Sequence, residues 1–135
     1  MKLVFSYLDG GTHPAAGHVF HWHPIAIGGV DVPRYNRYVC GVLGAIAQTI
    51  EDCDRLLSFL SAVEGGLEQE VETGGNDVTL TLTREGVQVD IEANEDWVGT
   101  EEGHFSLREW KLILEGWKRF LAMPQAKESV VEVFL

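Results

Sequence analysis

The stretch that most restricts what this chain can fold into is FSLREWKLILEGWKRFL, Phe105–Leu121. Ser106 is a natural N-cap, Glu109 completes a capping box three residues on, and Phe105 and Trp110 have the spacing of a hydrophobic staple. Leu107, Trp110, Leu114, Trp117 and Leu121 then recur at helical spacing, with Ile113 and Phe120 widening the stripe. Each buried aromatic removes roughly 150–250 Å² from water, so two tryptophans and a phenylalanine on one helix can cover a sheet face. Such a helix demands an apolar layer to lie on.

The rest of the chain supplies strands. Lys2–Leu8 reads as a strand closed by the turn residues Asp9, Gly10 and Gly11, and a loop through Pro14–Gly17 leads to a second strand, His18–Ile27. Pro24 within it predicts an edge position. From Tyr38 to Glu64 the period turns helical: Leu43, Ile46, Ile50, Cys53, Leu57 and Leu60 follow 3-4 spacing before Gly65 and Gly66. Thr49 and Asp52 offer a second capping box, so one bent helix and two consecutive helices both fit, with Thr49–Val63 the firmer half. A β-meander follows, Leu67–Thr73, Val78–Thr83 and Val87–Glu92, with turns at Gly74–Asp77 and Arg84–Gly86. Trp97–His104 fits one more strand before the capped helix, Pro124 ends that helix, and Ser129–Leu135 reads as a last strand. At a sheet edge this last strand would offer pairing across a dimer. The order predicts an α+β fold, a mostly antiparallel sheet with two main helices packed on one face. At 135 residues it is one domain, 1–135, able to bury roughly two thirds of the surface of its unfolded chain.

Charge narrows the function. Twenty-one acids against ten bases leave a net charge of −11, which repels nucleic acid and anionic membranes and attracts basic partners; solubility is the plainer use of such acidity. The opening residues lack the pattern of a signal peptide, no apolar run is long enough to span a membrane, and Cys40 and Cys53 are too few for a disulfide framework. A cytoplasmic protein is expected.

Alternation in the meander sorts its residues. If Leu67, Val71, Val78, Leu80, Leu82, Val87, Val89 and Ile91 face the helices, the opposite face carries Glu68, Glu70, Glu72, Asp90 and Glu92, with Glu95, Asp96 and Trp97 just beyond. A one-sided sheet shows polar residues to water in any case. Five acids without a base go further, because like charges on adjacent strands destabilise. These eight polar and aromatic residues form the candidate partner-binding face.

Chemistry finds less support. His13, His18, His21 and His23 fall close together, and zinc would take three of them, most simply His18, His21 and His23, with water or a carboxylate. No cysteine pair reinforces that set and no Asp or Glu lies between Asp9 and Asp31, and histidines at strand spacing also arise in half-buried sheets. No serine has a nucleophile-elbow context, neither cysteine sits in a motif that lowers its pKa, and the glycine pairs match turns rather than a phosphate loop. Neither an enzyme nor a cofactor is indicated.

Three stretches, IEDCDRLLSFLSAVEGG (50–66), GNDVTLTLTREGVQVDI (75–91) and FSLREWKLILEGWKRFL (105–121), together resemble the small acidic immunity proteins of bacterial contact-dependent inhibition and related polymorphic toxin systems. The likeness is one of layout: a helix, a meander, and a tryptophan-containing helix before a last strand. It implies a non-enzymatic cytosolic protein that binds a cognate toxin domain, commonly a nuclease, and blocks its active site. The alternatives are a metal-binding protein or metal-dependent enzyme using His13–His23, and a non-catalytic structural or regulatory subunit.

Overall fold

A computed structural model describes Met1–Leu135. The α+β class and the antiparallel pairing are as expected, but the strands divide between two sheets. One has the order β2-β1-β7, from Lys2–His13 (β1), Gly17–Ile27 (β2) and Val131–Phe134 (β7). The other runs β3-β4-β5-β6 through Glu70–Gly75, Val78–Thr83, Gly86–Ile91 and the two-residue strand His104–Phe105. The helices are α1 (Val32–Tyr35), a π-helical turn Asn36–Cys40, α2 (Gly41–Ile46), α3 (Ile50–Glu64) and α4 (Leu107–Leu121).

Helix α4 joins the two sheets. Its N-terminal half puts Trp110 and Leu114 among Leu80, Leu82 and Val87 of the four-stranded sheet, with α3 alongside through Leu56 and Leu60. Its C-terminal half turns Trp117 and Phe120 to the three-stranded sheet: the Phe5 ring stands edge-on to Trp117 at 5.1 Å, and Tyr7 lies 4.5 Å from Phe120. A single cluster of 29 buried residues therefore runs through both layers. Both arms of the expected capping box are present, and Tyr35 adds a third link by donating its hydroxyl to Glu109 Oε1 at 2.5 Å. Gly116 lies against β7, where an added Cβ would stand 2.3 Å from Val133 Cγ2. No helix is long and apolar enough to cross a membrane.

Several expected boundaries shift for physical reasons. Strand β1 does not end at Asp9–Gly11: its pairing with β2 continues to His13 across a one-residue bulge, with Gly11 at φ 80°, and the chain reverses at Pro14–Ala16. The helical region starts earlier than Tyr38 and breaks at Ala47–Thr49, where Thr49 and Asp52 form the second capping box. Its end is a Schellman motif: Gly66 has φ 79°, and the N–H groups of Gly66 and Leu67 reach the carbonyls of Val63 and Ala62. That motif consumes Leu67 and Glu68, so β3 begins at Glu70, and Leu67, placed by alternation among core residues, is 85% exposed. Where a strand is expected over 97–104, two 3₁₀ turns, Glu95–Trp97 and Glu101–Gly103, capped by Asn94 and Thr100, take its place, and only His104 joins a strand, as the first residue of β6. Pro24 does lie in an edge strand, and β7 is the other edge of its sheet.

Candidate functional site

The alternation expected of the meander holds from Glu70 onward. Val78, Leu80, Leu82, Val87 and Val89 are buried against α3 and α4. Cross-strand register stacks the outward residues in rows: Glu70 beside Thr83; Glu72, Thr81, Gln88 and His104 in line; and Thr79 beside Asp90. Glu70 and Glu72 are exposed on β3, and Glu92 accepts a hydrogen bond from the Thr79 hydroxyl. The two-residue turn Asn76–Asp77 has positive φ at both positions, the geometry of a type I′ hairpin. It adds Asp77 to a groove of about 350 Å³ that also includes Glu72, Thr79 and Glu92.

Of the remaining candidates, Asp90 is on this face beside Thr79, and Glu68, Glu95, Asp96 and Trp97 lie around it. Glu68 is exposed in the loop after α3. Asp90 is already engaged, its carboxylate accepting from the Gly99 N–H at 2.7 Å, which ties the 94–103 loop to β5. Gln88 does the same by donating to the Thr100 carbonyl at 2.9 Å. Glu95 and Asp96 open the first 3₁₀ turn. Trp97 is half-buried with the Arg37 guanidinium 4.6 Å from its ring centre, at the rim of a groove of about 470 Å³ with Tyr38, Thr100, Glu101 and Glu102. Arg34 closes the β6 edge by donating to the Glu102 and His104 carbonyls while its guanidinium stacks 4.2 Å from the Phe105 ring.

Charge is distributed very unevenly. Residues 67–102, which form β3–β5 and their loops, hold eleven acids and only Arg84, a net of −10 out of the chain's −11. The remaining residues hold ten acids and nine bases. The protein's ion pairs are Lys2–Glu132, His18–Asp9, Arg55–Asp52, Lys118–Asp54 and Lys127–Asp9, so none of the eleven carboxylates has a cation in contact. Four of the eleven, Asp77, Glu85, Glu101 and Glu102, lie outside the expected set: Asp77 and Glu85 belong to the hairpin turns, and Glu101 and Glu102 to a segment whose sequence suggests a strand.

The histidines do not converge. His21 and His23 face one side of β2, while His18 lies on the other, stacked on Phe20 at 4.6 Å and paired with Asp9 at 2.8 Å. His13 reaches the Gly10 carbonyl at 3.2 Å. No group of three His, Cys, Asp or Glu side chains is placed to hold a metal ion. Cys40 and Cys53 are both buried, and burial pushes each thiol up to about 12, with Asp52 and Asp54 adding to the shift at Cys53. Both should resist iodoacetamide at pH 8 in the native protein and react on unfolding, measured by mass shift; rapid native labelling would contradict this burial.

Compared with protein-family models, curated proteins and solved structures, the chain matches none.

Proposed function

We propose that this protein is an immunity-type inhibitor, a non-catalytic cytoplasmic chain that binds a cognate basic toxin domain, a nuclease, and blocks its active site. The observation that carries the proposal is the concentration of unpaired negative charge on the uncovered face of β3–β5 and the loop to Gly103. Acidity serving solubility alone would be spread over the surface and laced with cations. Here ten of the eleven net charges fall in one stretch, 67–102, which forms this sheet and its loops, at a cost in self-repulsion that a cationic partner relieves. The face would occupy the site where the toxin holds the phosphates of its substrate. Glu70, Glu72, Asp77 and Glu92 would meet its Lys and Arg side chains, and Glu95, Asp96 and Trp97 would close one end. Trp97 would offer an indole already stacked on Arg37 and so ordered in advance.

The test uses a basic nuclease toxin domain encoded beside this protein. Mixed at equal concentrations, the two should form a stoichiometric complex without nuclease activity, and affinity should fall as salt rises. Full nuclease activity at a several-fold excess of this protein in low salt would sink the proposal.

A further inference from the structure

The outer face of the β2-β1-β7 sheet is built quite differently from the acidic face. Phe5 and Tyr7 turn inward to α4, so register places Val4, Leu8, Ile25, Ile27 and Phe134 together on the opposite side, alongside Ser6, His21 and His23. No helix covers them. Leu8 is 49% exposed, Ile27 43% and Phe134 68%. The solvated face of the other sheet uses Thr, Gln and Glu at equivalent positions, so this apolar set is a specific departure within the same molecule.

We propose that this face is the interface of a symmetric dimer of the chain. Its side chains carry one full positive charge, Lys2, and one negative, Glu132, in neighbouring rows and joined at 3.0 Å. A two-fold axis lying in the plane of the contact and passing between Lys2 and Glu132 sets each Lys2 over the other copy's Glu132 and brings Val4 and Phe134 close to their own counterparts, as an isologous contact requires. A basic partner would find one acid here, and an anionic membrane one base. A second copy finds both charges answered. The stretch holding a net −10 belongs to the other sheet, so two copies meet through their nearly neutral halves.

Size sets the strength. Three strands at about 4.8 Å spacing and seven residues at about 3.3 Å give a flat area of about 300 Å², the scale of a weak, reversible contact. The dimer should form at micromolar to millimolar concentration. Salt should strengthen it by screening the repulsion between two chains of −11, the opposite of its effect on a complex with a basic protein.

Sedimentation of the full chain over a concentration series tests this. The native protein should move from 15.0 kDa towards twice that mass, and further at about 0.5 M than at about 0.05 M salt. The double variant Ile27→Glu/Phe134→Glu should self-associate at least tenfold more weakly with an unchanged melting temperature, both sites being exposed. Leu8→Glu replaces either substitution if melting changes. A native chain that stays monomeric up to about 1 mM, or a dimer undiminished in the variants, would overturn the proposal.

Discussion

Replacing Trp117 with alanine is expected to remove about 3–5 kcal/mol of stability, a large part of the roughly 5–15 kcal/mol typical of a domain. Trp117 has no exposed surface. Its ring meets Phe5 at 5.1 Å, Phe120 at 5.3 Å and Trp22 at 5.5 Å, so alanine opens a cavity where α4 holds the three-stranded sheet. Its indole N–H also donates to the Ala47 carbonyl at 2.7 Å, at the C-terminal end of α2. Trp110, one face-length earlier on the same helix, is equally buried, but its N–H has no partner. Trp117→Phe should therefore cost more than Trp110→Phe, by about 1–3 kcal/mol for the orphaned carbonyl. Denaturant unfolding monitored by circular dichroism gives the order directly. If Trp110→Phe proves the costlier change, the account of how α4 couples the sheets is wrong.

This helix also marks how far local sequence reaches. Ser106, Glu109 and the aromatic stripe are local signals, and the structure uses each as expected. Gly116 went unread because a glycine inside a helix looks like a defect of about 1 kcal/mol. Its reason lies 17 residues away, in the close approach of Val133. Asp9–Gly11 shows the same limit: those residues suit a turn or a bulge equally, and pairing with Phe20 and His18 decides for the bulge. Leu67 followed the right alternation but fell inside the Schellman motif, which overrides strand period at its edge. Division into two sheets was not legible, since it depends on β7 returning to pair with β1, a contact spanning nearly the whole chain.

The candidate site divides along the same line. Glu70, Glu72 and their threonine neighbours followed from period two alone. Asp90 looked equally free, yet its carboxylate holds the Gly99 N–H, and Trp97 looked like a bare anchor, yet Arg37 covers part of it. The first depends on the irregular 94–103 loop doubling back on β5 and the second on Arg37 arriving from a distant segment, and both bear on which substitutions can test a binding role. Changing Asp90 would loosen the 94–103 loop, so a loss of binding there would be ambiguous.

Glu70→Lys/Glu72→Lys avoids that ambiguity. Both side chains are exposed on β3, neither has an ion-pair partner, and removing two like charges from a crowded face should leave stability equal or slightly raised. The pair of reversals shifts the face by four charge units. Association with the basic toxin domain should slow by about 10–100-fold at low salt, and by much less once screening shortens the field to a few ångströms. Dissociation should change less, since steering acts mainly on encounter. Glu68→Lys, in the loop before β3, should have a smaller effect than either strand residue, and Glu128→Lys, an exposed charge outside the acidic stretch, should have almost none. Stopped-flow association at two salt concentrations distinguishes these cases. Equal slowing by Glu128→Lys would mean that only net charge matters, and unchanged association in Glu70→Lys/Glu72→Lys would remove β3 from the interface. A graded response, strongest at Glu70 and Glu72 and steep in salt, is expected only if the ordered rows of this sheet meet the partner.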